Sequence, residues 1–426
     1  MKVFKFGGAC IQNSETVRRL EPFISAEQPR PLVIVVSAMG KTTRGLEKIF
    51  LQKVNDQPYS EAIQCLHQFH QEIIDKLLLN ARQEAYRVLA RWEKQLITTL
   101  AVSTADTSLD ALYSRIVAGG ELLASALIYH YLREQDVACA WLDVRKCIKT
   151  HSGFCNAKID WVATQHLAKK HITPLLAQKK VVLTQGFIGS NNTEETTTLG
   201  KEGSDFTGAI LASVLSAQSL TIWKDVPGIM NADPKLFKEA IKFDHISYKE
   251  MAEMAFYGAK VVHPNTIQPL ATHNIPLYVK PFYHPHETGT KIANGFTPVQ
   301  HPIYILQKNQ GLVQLSLNDL KFFDEACLEE VFHQLTQQNM RADMLERRAC
   351  TLSICLNADP YKIKILLAAL AQKFKVCYHA PVSLLTIMHQ DDRLPKTLTW
   401  LQQKIPLLTQ QRTGIYQAVF RHEEEL

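Results

Sequence analysis

The chain has 426 residues, 46% of them hydrophobic, with 47 Lys and Arg against 41 Asp and Glu for a net charge of +6. That length divides into two or three domains, and that balance excludes a disordered chain. The charges are scattered, with only short runs such as Lys169-Lys170, so no nucleic-acid footprint emerges; nine cysteines without a Cys-x-x-Cys pair argue against a disulfide framework or zinc site.

Residues 2 to 6 predict a short strand, Asn13 or Ser14 caps a helix to about Glu27, and Pro31 to Ser37 is an apolar β-branched strand. From Thr42 to Arg133 apolar residues recur at three and four, which predicts helix; His67 and His70 fall in this stretch, read as exposed surface. A strand follows near Val137 to Leu142, a helix over Asp160 to Gln178, and a strand at Val181 to Thr184. Next come a helix at Ser204 to Leu215 and strands at Leu220 to Lys224 and Ile275 to Val279. Strands alternating with helices predict a mostly parallel sheet covered on both faces. Residues 1–294 form this unit, and Gly295 to Pro302, with Gly and two Pro, reads as a linker.

Beyond the linker the rhythm shortens. Strands are predicted at Leu312 to Leu317, Arg341 to Leu345, Thr351 to Leu356, Lys375 to Tyr378, Ser383 to Met388 and Tyr416 to Phe420. Helices fall at Glu325 to Gln338, Pro360 to Gln372 and Leu394 to Gln403. Residues 303–426 thus fit two small β-α-β-β modules. No uninterrupted apolar run reaches the ~20 residues that span a bilayer, and the first residues do not resemble a secretory signal, so a cytoplasmic location without a membrane or nucleic-acid partner is expected.

Several loops that follow a strand and open a helix carry residues suited to anions. Gly40-Lys41-Thr42 is not a P-loop, because Val35 stands where the motif needs glycine. Lys5-Phe6-Gly7-Gly8 permits close backbone approach to phosphate beside a lysine, or is simply a tight turn. Leu199 to Asp205 leads glycine-rich backbone into a helix whose free N–H groups favour an anion; Ser204 and Asp205 also suit capping. Taken singly, Trp223 to Gly228, Asp233-Pro234-Lys235 and Gly258 to Pro264 are ordinary turns.

Together these segments resemble the amino-acid kinase family, and within it the aspartate kinases. The resemblance rests on Lys5-Phe6-Gly7-Gly8, the Val36-Ser37-Ala38-Met39-Gly40-Lys41-Thr42-Thr43 loop, Gly120-Glu121, Gln185 to Gly189, Thr198-Leu199-Gly200, Gly203-Ser204-Asp205, Asp225-Val226-x-Gly228 and Gly258 to Pro264, in the family's order. It implies a three-layer αβα sandwich followed by tandem α+β ferredoxin-like ACT modules. It also implies ATP with Mg²⁺, L-aspartate as acceptor, a homodimer, and lysine or another amino acid as feedback effector. Lys5 and Asp205 are implied as catalytic, and Gly7, Gly8, Gly203, Lys224, Asp225, Lys235 and Lys260 as nucleotide-binding. Thr43, Glu121, Lys201 and Ser204 are implied around the amino acid, with no protein metal ligand. Asp343 fits the family's effector pattern, whereas Glu346 to Ala349 departs from it.

Departures stand at Ala9, Cys10, Lys201, Glu202, Met230 and Lys235. Lys201 replaces a common arginine and loses its bidentate fork. Two other readings follow: a related kinase acting on glutamate, acetylglutamate, carbamate or a nucleotide, and a catalytically impaired amino-acid sensor.

Overall fold

The computed structural model describes residues 1–27, 31–104, 107–151, 153–178, 180–237, 239–259, 261–317, 321–389 and 405–421. They form two compact units: Met1–Ile229 with Lys242–Ala252 and Val261–Thr297, and Met230–Ile241 with Glu253–Lys260 and Pro298–Leu426.

The chain opens with β1 (Lys2–Phe6), α1 (Ser14–Arg18) and α2 (Leu20–Ser25). The single helix expected to Glu27 is two, because Pro22 has no N–H to donate into the preceding turn. Asn13 and Thr16 exchange side-chain and backbone bonds in a capping box that fixes the first of them. Next stand β2 (Leu32–Val36) and four helices, α3 (Thr42–Val54), α4 (Ser60–Leu77), α5 (Arg82–Leu100) and α6 (Leu109–Glu134). Then follow β3 (Cys139–Leu142), α7 (Trp161–Ala177), β4 (Val181–Gln185), the hairpin β5 (Ile188–Ser190) and β6 (Thr196–Thr198), α8 (Gly203–Val214) and β7 (Ser219–Lys224). The unit ends with β8 (His245–Ser247), the first five residues of α9 (Tyr248–Phe256), α10 (Pro264–Thr272), β9 (Leu277–Pro281) and β10 (Thr290–Ala293). The sequence reading missed β5, β6, β8 and β10, none longer than four residues and so too short for a periodic signal.

The eight-stranded sheet runs β3-β4-β2-β1-β7-β9-β10-β8, parallel from β3 to β9, with β10 antiparallel to β9. Alternation sorts its two faces. Phe4, Phe6, Leu32, Ile34 and Val36 join one apolar core with α1 to α6, while α8 lies over β1, β2 and β7 on the other face, backed by α7 and α10. This is the expected three-layer arrangement. By composition α6 is long and apolar enough to cross a bilayer, yet 72% of its apolar window is buried in this unit, as for a core helix.

In the second unit β11 (Ile303–Ser316), α11 (Glu325–Gln337), β12 (Ala342–Arg347), β13 (Thr351–Asn357), α12 (Pro360–Leu370), β14 (Lys375–Met388), β15 (Leu408–Arg412) and β16 (Ile415–Arg421) build one antiparallel sheet, β12-β13-β11-β14-β16-β15. The two expected modules therefore share strands. β11 starts at Ile303, well before the predicted Leu312, and β14 is one strand of 14 residues where two were expected. Register shifts between Gln307 and Leu312 let the two long strands stay paired throughout. Val313, Leu315, Leu352, Ile354 and Leu356 pack one face beneath α11 and α12, and Leu312, Met344, Cys355 and Val419 fill the other. The helix expected over 394–403 lies outside the described residues.

Candidate active site

In an open parallel sheet, the crevice beyond the carboxyl ends of strands whose connections diverge is where ligands bind. Here that point is β1, flanked by β2 on one side and β7 on the other. Lys5 pairs in register with Ile222, and Phe6 with Trp223. Lys5 and Lys224 therefore lie on one face, the face covered by α8, while Phe6 and Trp223 stack on the opposite face at 6.2 Å.

Glycines let α8 settle onto that face. A Cβ on Gly208 would stand 3.6 Å from the Lys5 Cβ, and one on Gly186 would collide with the Ser204 Cβ at 2.5 Å. The first turn of α8 is thereby held against the ends of β1 and β4, and Asp205, one turn before Gly208, turns inward. Its carboxylate is 3% exposed and bridges two ammonium groups, Lys5 Nζ at 2.6 Å and Lys224 Nζ at 3.0 Å. Burial alone would raise the Asp205 pKa, but Lys224 and Lys5 bring it down to about 2. Lys224 loses by burial and gains more from Asp205, so it stays protonated well into alkaline solution; its ammonium also donates to the Val261 carbonyl. Two lysines sharing one carboxylate leave a net positive centre.

Around this centre stand the glycines expected to admit phosphate. A side chain on Gly7 would come within 3.4 Å of Lys5 Nζ, and one on Gly8 within 3.3 Å of both the Ala38 and Gly40 carbonyls. Gly203 begins α8, and a Cβ there would meet Phe187 at 2.8 Å. Glu202, the residue before it, takes a left-handed φ of 54°, and its Oε2 is buried without a hydrogen-bond partner. The negative charge of Glu202 reaches Lys224.

Glu121 approaches from α6, where Gly120 lets the helix close on Ala38 and Thr42. Its Oε1 accepts from the Ala38 N–H at 3.3 Å, and its buried Oε2 has no partner. Burial pushes the Glu121 pKa up to about 8, against the pull of the Ala38 N–H and of Lys5. A buried carboxyl oxygen open to a new donor suits an incoming ammonium group.

Thr43 is the second residue of α3 and partly buried, Ser204 is buried in the first turn of α8, and Lys201, Asp225 and Ala9 are exposed. Lys235 and Met230 belong to the second unit, where Lys235 is exposed. Lys260 lies outside the described residues. Cys10 lies within reach of the charges of Lys5, Lys224 and Asp225, but its thiol is buried against β7, donates to the Trp223 carbonyl at 3.2 Å, and is pushed by burial to about 12. Asp343 is paired with Arg341 at 2.6 Å.

The sequence reading missed two features. Lys224 was expected only at the nucleotide, but it shares Asp205 with Lys5; the parallel register of β1 and β7 was needed to see it. His70, read as surface, is fully buried with its Nε2 3.3 Å from Thr42 Oγ1, and His67 pairs instead with Glu93 at 2.8 Å. Among the described residues no cluster of three or more His, Cys, Asp or Glu is placed to hold a metal.

The amino acid kinase family model matches residues 1–281. Lysine-sensitive aspartokinase 3 of Escherichia coli (strain K12) is 34% identical over 359 residues, covering 83% of this chain and 78% of that protein. The chloroplastic bifunctional aspartokinase/homoserine dehydrogenase of Daucus carota is 29% identical over 396 residues, 88% of this chain but 42% of that longer protein. Among solved structures, E. coli aspartokinase III in complex with aspartate and ADP (R-state) matches with a TM-score of 0.82 at 29% identity, covering 99% of this chain and 96% of that one. The same enzyme in complex with lysine and aspartate (T-state) gives 0.79 at 28%, with the same coverage. From the sheet, the buried charge bridge and these likenesses together, the chain belongs to the amino acid kinase family and groups with its aspartokinases.

Proposed function

We propose that the chain transfers the γ-phosphoryl group of ATP to the side-chain carboxylate of L-aspartate, giving 4-phospho-L-aspartate, the first step of lysine, threonine and methionine biosynthesis. The observation that carries this reading is the Lys5–Asp205–Lys224 bridge at the carboxyl ends of adjacent parallel strands, beside Gly7, Gly8 and the amino end of α8. The acceptor carboxylate is already ionised at neutral pH, so no general base is required. What the reaction requires is that two anions be brought together and their charge neutralised in the transition state.

Lys5 holds the transferring phosphoryl group, and Asp205 keeps Lys5 and Lys224 in place. Gly7, Gly8 and Gly203 admit the phosphates to backbone N–H groups, and the α8 dipole adds positive potential. Asp225, which directly follows β7, belongs to the nucleotide site as well. Glu121 receives the substrate ammonium on its free Oε2, with Thr43, Lys201 and Ser204 about the rest of the amino acid. Bound with the nucleotide phosphates, Mg²⁺ would neutralise part of their charge. The buried, unpartnered Glu202 Oε2 and the exposed Asp225 carboxylate fit a cation brought in this way.

Residues 303–426 form the regulatory part, a tandem ACT pair that builds a homodimer and takes lysine as effector, in a cytoplasmic enzyme. The antiparallel sheet shared by β11 and β14 supports that assignment. One assay tests the whole reading: protein, ATP, Mg²⁺ and hydroxylamine should yield a hydroxamate with aspartate. Product with glutamate alone would point to a related kinase, and none with any amino acid to a sensor without activity. Lysine added to the assay should lower the rate.

A further inference from the structure

His70 is fully buried on α4, a helix that carries no predicted site residue itself. Its Nδ1 is 2.8 Å from the Leu66 carbonyl. A carbonyl only accepts, so Nδ1 carries the proton and Nε2 presents its lone pair. Burial lowers the ring to about 4, which keeps this tautomer at any pH where a kinase is assayed. Nε2 lies 3.3 Å from Thr42 Oγ1, whose hydroxyl hydrogen is shared with the Met39 carbonyl at 2.7 Å. The neighbour Phe69 fills the space above Gly40, where a Cβ would meet its ring at 3.2 Å and the Gln12 carbonyl at 3.3 Å.

Two adjacent residues of α4 thus clamp the loop between β2 and α3 at Gly40 and at Thr42. That loop is tied to the site at three further points. Ala38 N–H holds Glu121, the Ala38 and Gly40 carbonyls lie where a Cβ on Gly8 would meet them at 3.2 and 3.3 Å, and Thr43 follows Thr42 directly. A movement at Thr42 changes where Thr43 and the Ala38 N–H stand, while Lys5, Asp205 and Lys224 are held by β1, β7 and α8.

We propose that His70 is a positioning residue which, through Thr42, sets the loop at the amino-acid subsite and so the affinity for the acceptor. This rests on the kinase reading. Gln and Asn separate the two ring contacts: glutamine can offer an acceptor where Nε2 stands, and asparagine can replace only the Nδ1 bond. The experiment is steady-state hydroxamate formation by the full chain with each substrate varied in turn, alongside melting temperatures. His70→Asn and Thr42→Val should each raise KM for aspartate about fivefold, the factor that one buried hydrogen bond represents. KM for ATP should change less than about twofold, and the double variant should be no worse than either single one. His70→Gln and Thr42→Ser should restore the affinity. If His70→Asn does not fold, the Thr42→Val and Thr42→Ser pair decides alone. Equal losses in the Asn and Gln variants, parallel rises in both KM values, or additive losses would overturn the proposal. Wild-type protein that makes no aspartyl hydroxamate would instead sink the kinase reading itself.

Discussion

Two sets of charged residues, one in each unit, handle charge in opposite ways. In the first, Asp205 and Glu121 are buried against a limited set of partners, and their protonation is pulled far from ordinary values, to about 2 and about 8. In the second, the ion pairs Arg347–Glu325 and Lys373–Glu330 lie along solvated strand and helix surfaces. A charge costs much to bury and little to leave in water, so the first set signals chemistry and the second only solubility.

The sharpest way to break that contrast is to empty the first set. Lys5→Ala and Asp205→Ala should each reduce kcat by about a thousandfold or more, since a preorganised charge at the transferring phosphoryl group is lost. Asp205→Ala also leaves two lysines without their shared carboxylate, and should cost about 3–5 kcal/mol in denaturant unfolding. Because the Asp205 pKa is depressed, its contribution is present above the unfolded value near 3.8 and is lost as pH falls toward about 2; the alanine variant should lack that acid limb.

Glu121 gives the next effect. Its pKa is raised, so the unfolded chain releases this proton first, and stability from this group falls as pH rises from about 4.5 to about 8. Over the same upper range the carboxylate forms and KM for aspartate should drop. Glu121→Gln should raise that KM about tenfold at pH 8.5 and flatten both slopes, which pH-resolved kinetics and melting curves would read.

Glu202→Gly should act more gently, relieving the left-handed backbone and removing an unpartnered buried oxygen. A gain of up to about 1 kcal/mol in unfolding free energy is expected. At the small end, Glu325→Ala and Glu330→Ala should leave the melting temperature where it was at both low and high salt. A clear loss there would erase the distinction between the units.

Much of the first unit was legible in the sequence because each parallel strand is a continuous apolar run and each long helix is periodic. Lys5, Gly7, Gly8, Asp205 and Glu121 stood out by their motifs, and the folded chain draws Lys5 and Asp205 into contact. The partnership of Lys224 was not legible, since it depends on the alignment of β1 with β7 across more than two hundred residues of chain. His70 was misread because a histidine among glutamines looks solvated until α5 and α3 are packed over it. In the second unit the rhythm of strands and helices gave the elements, but not that β11 and β14 run unbroken through both halves. Nothing local marks where a strand changes partners.

One contact described above restricts how this enzyme can be altered. Gly186 leaves no room for even a methyl group beside Ser204, so a close approach of main chain and the start of the reactive helix occupy the same spot. Drift or engineering that moves the helix in order to resize the acceptor pocket would drag Asp205 off Lys5 as well. New acceptor preference is open only through side chains that can change without shifting the main chain, and Lys201, exposed at the rim, is the most accessible of them.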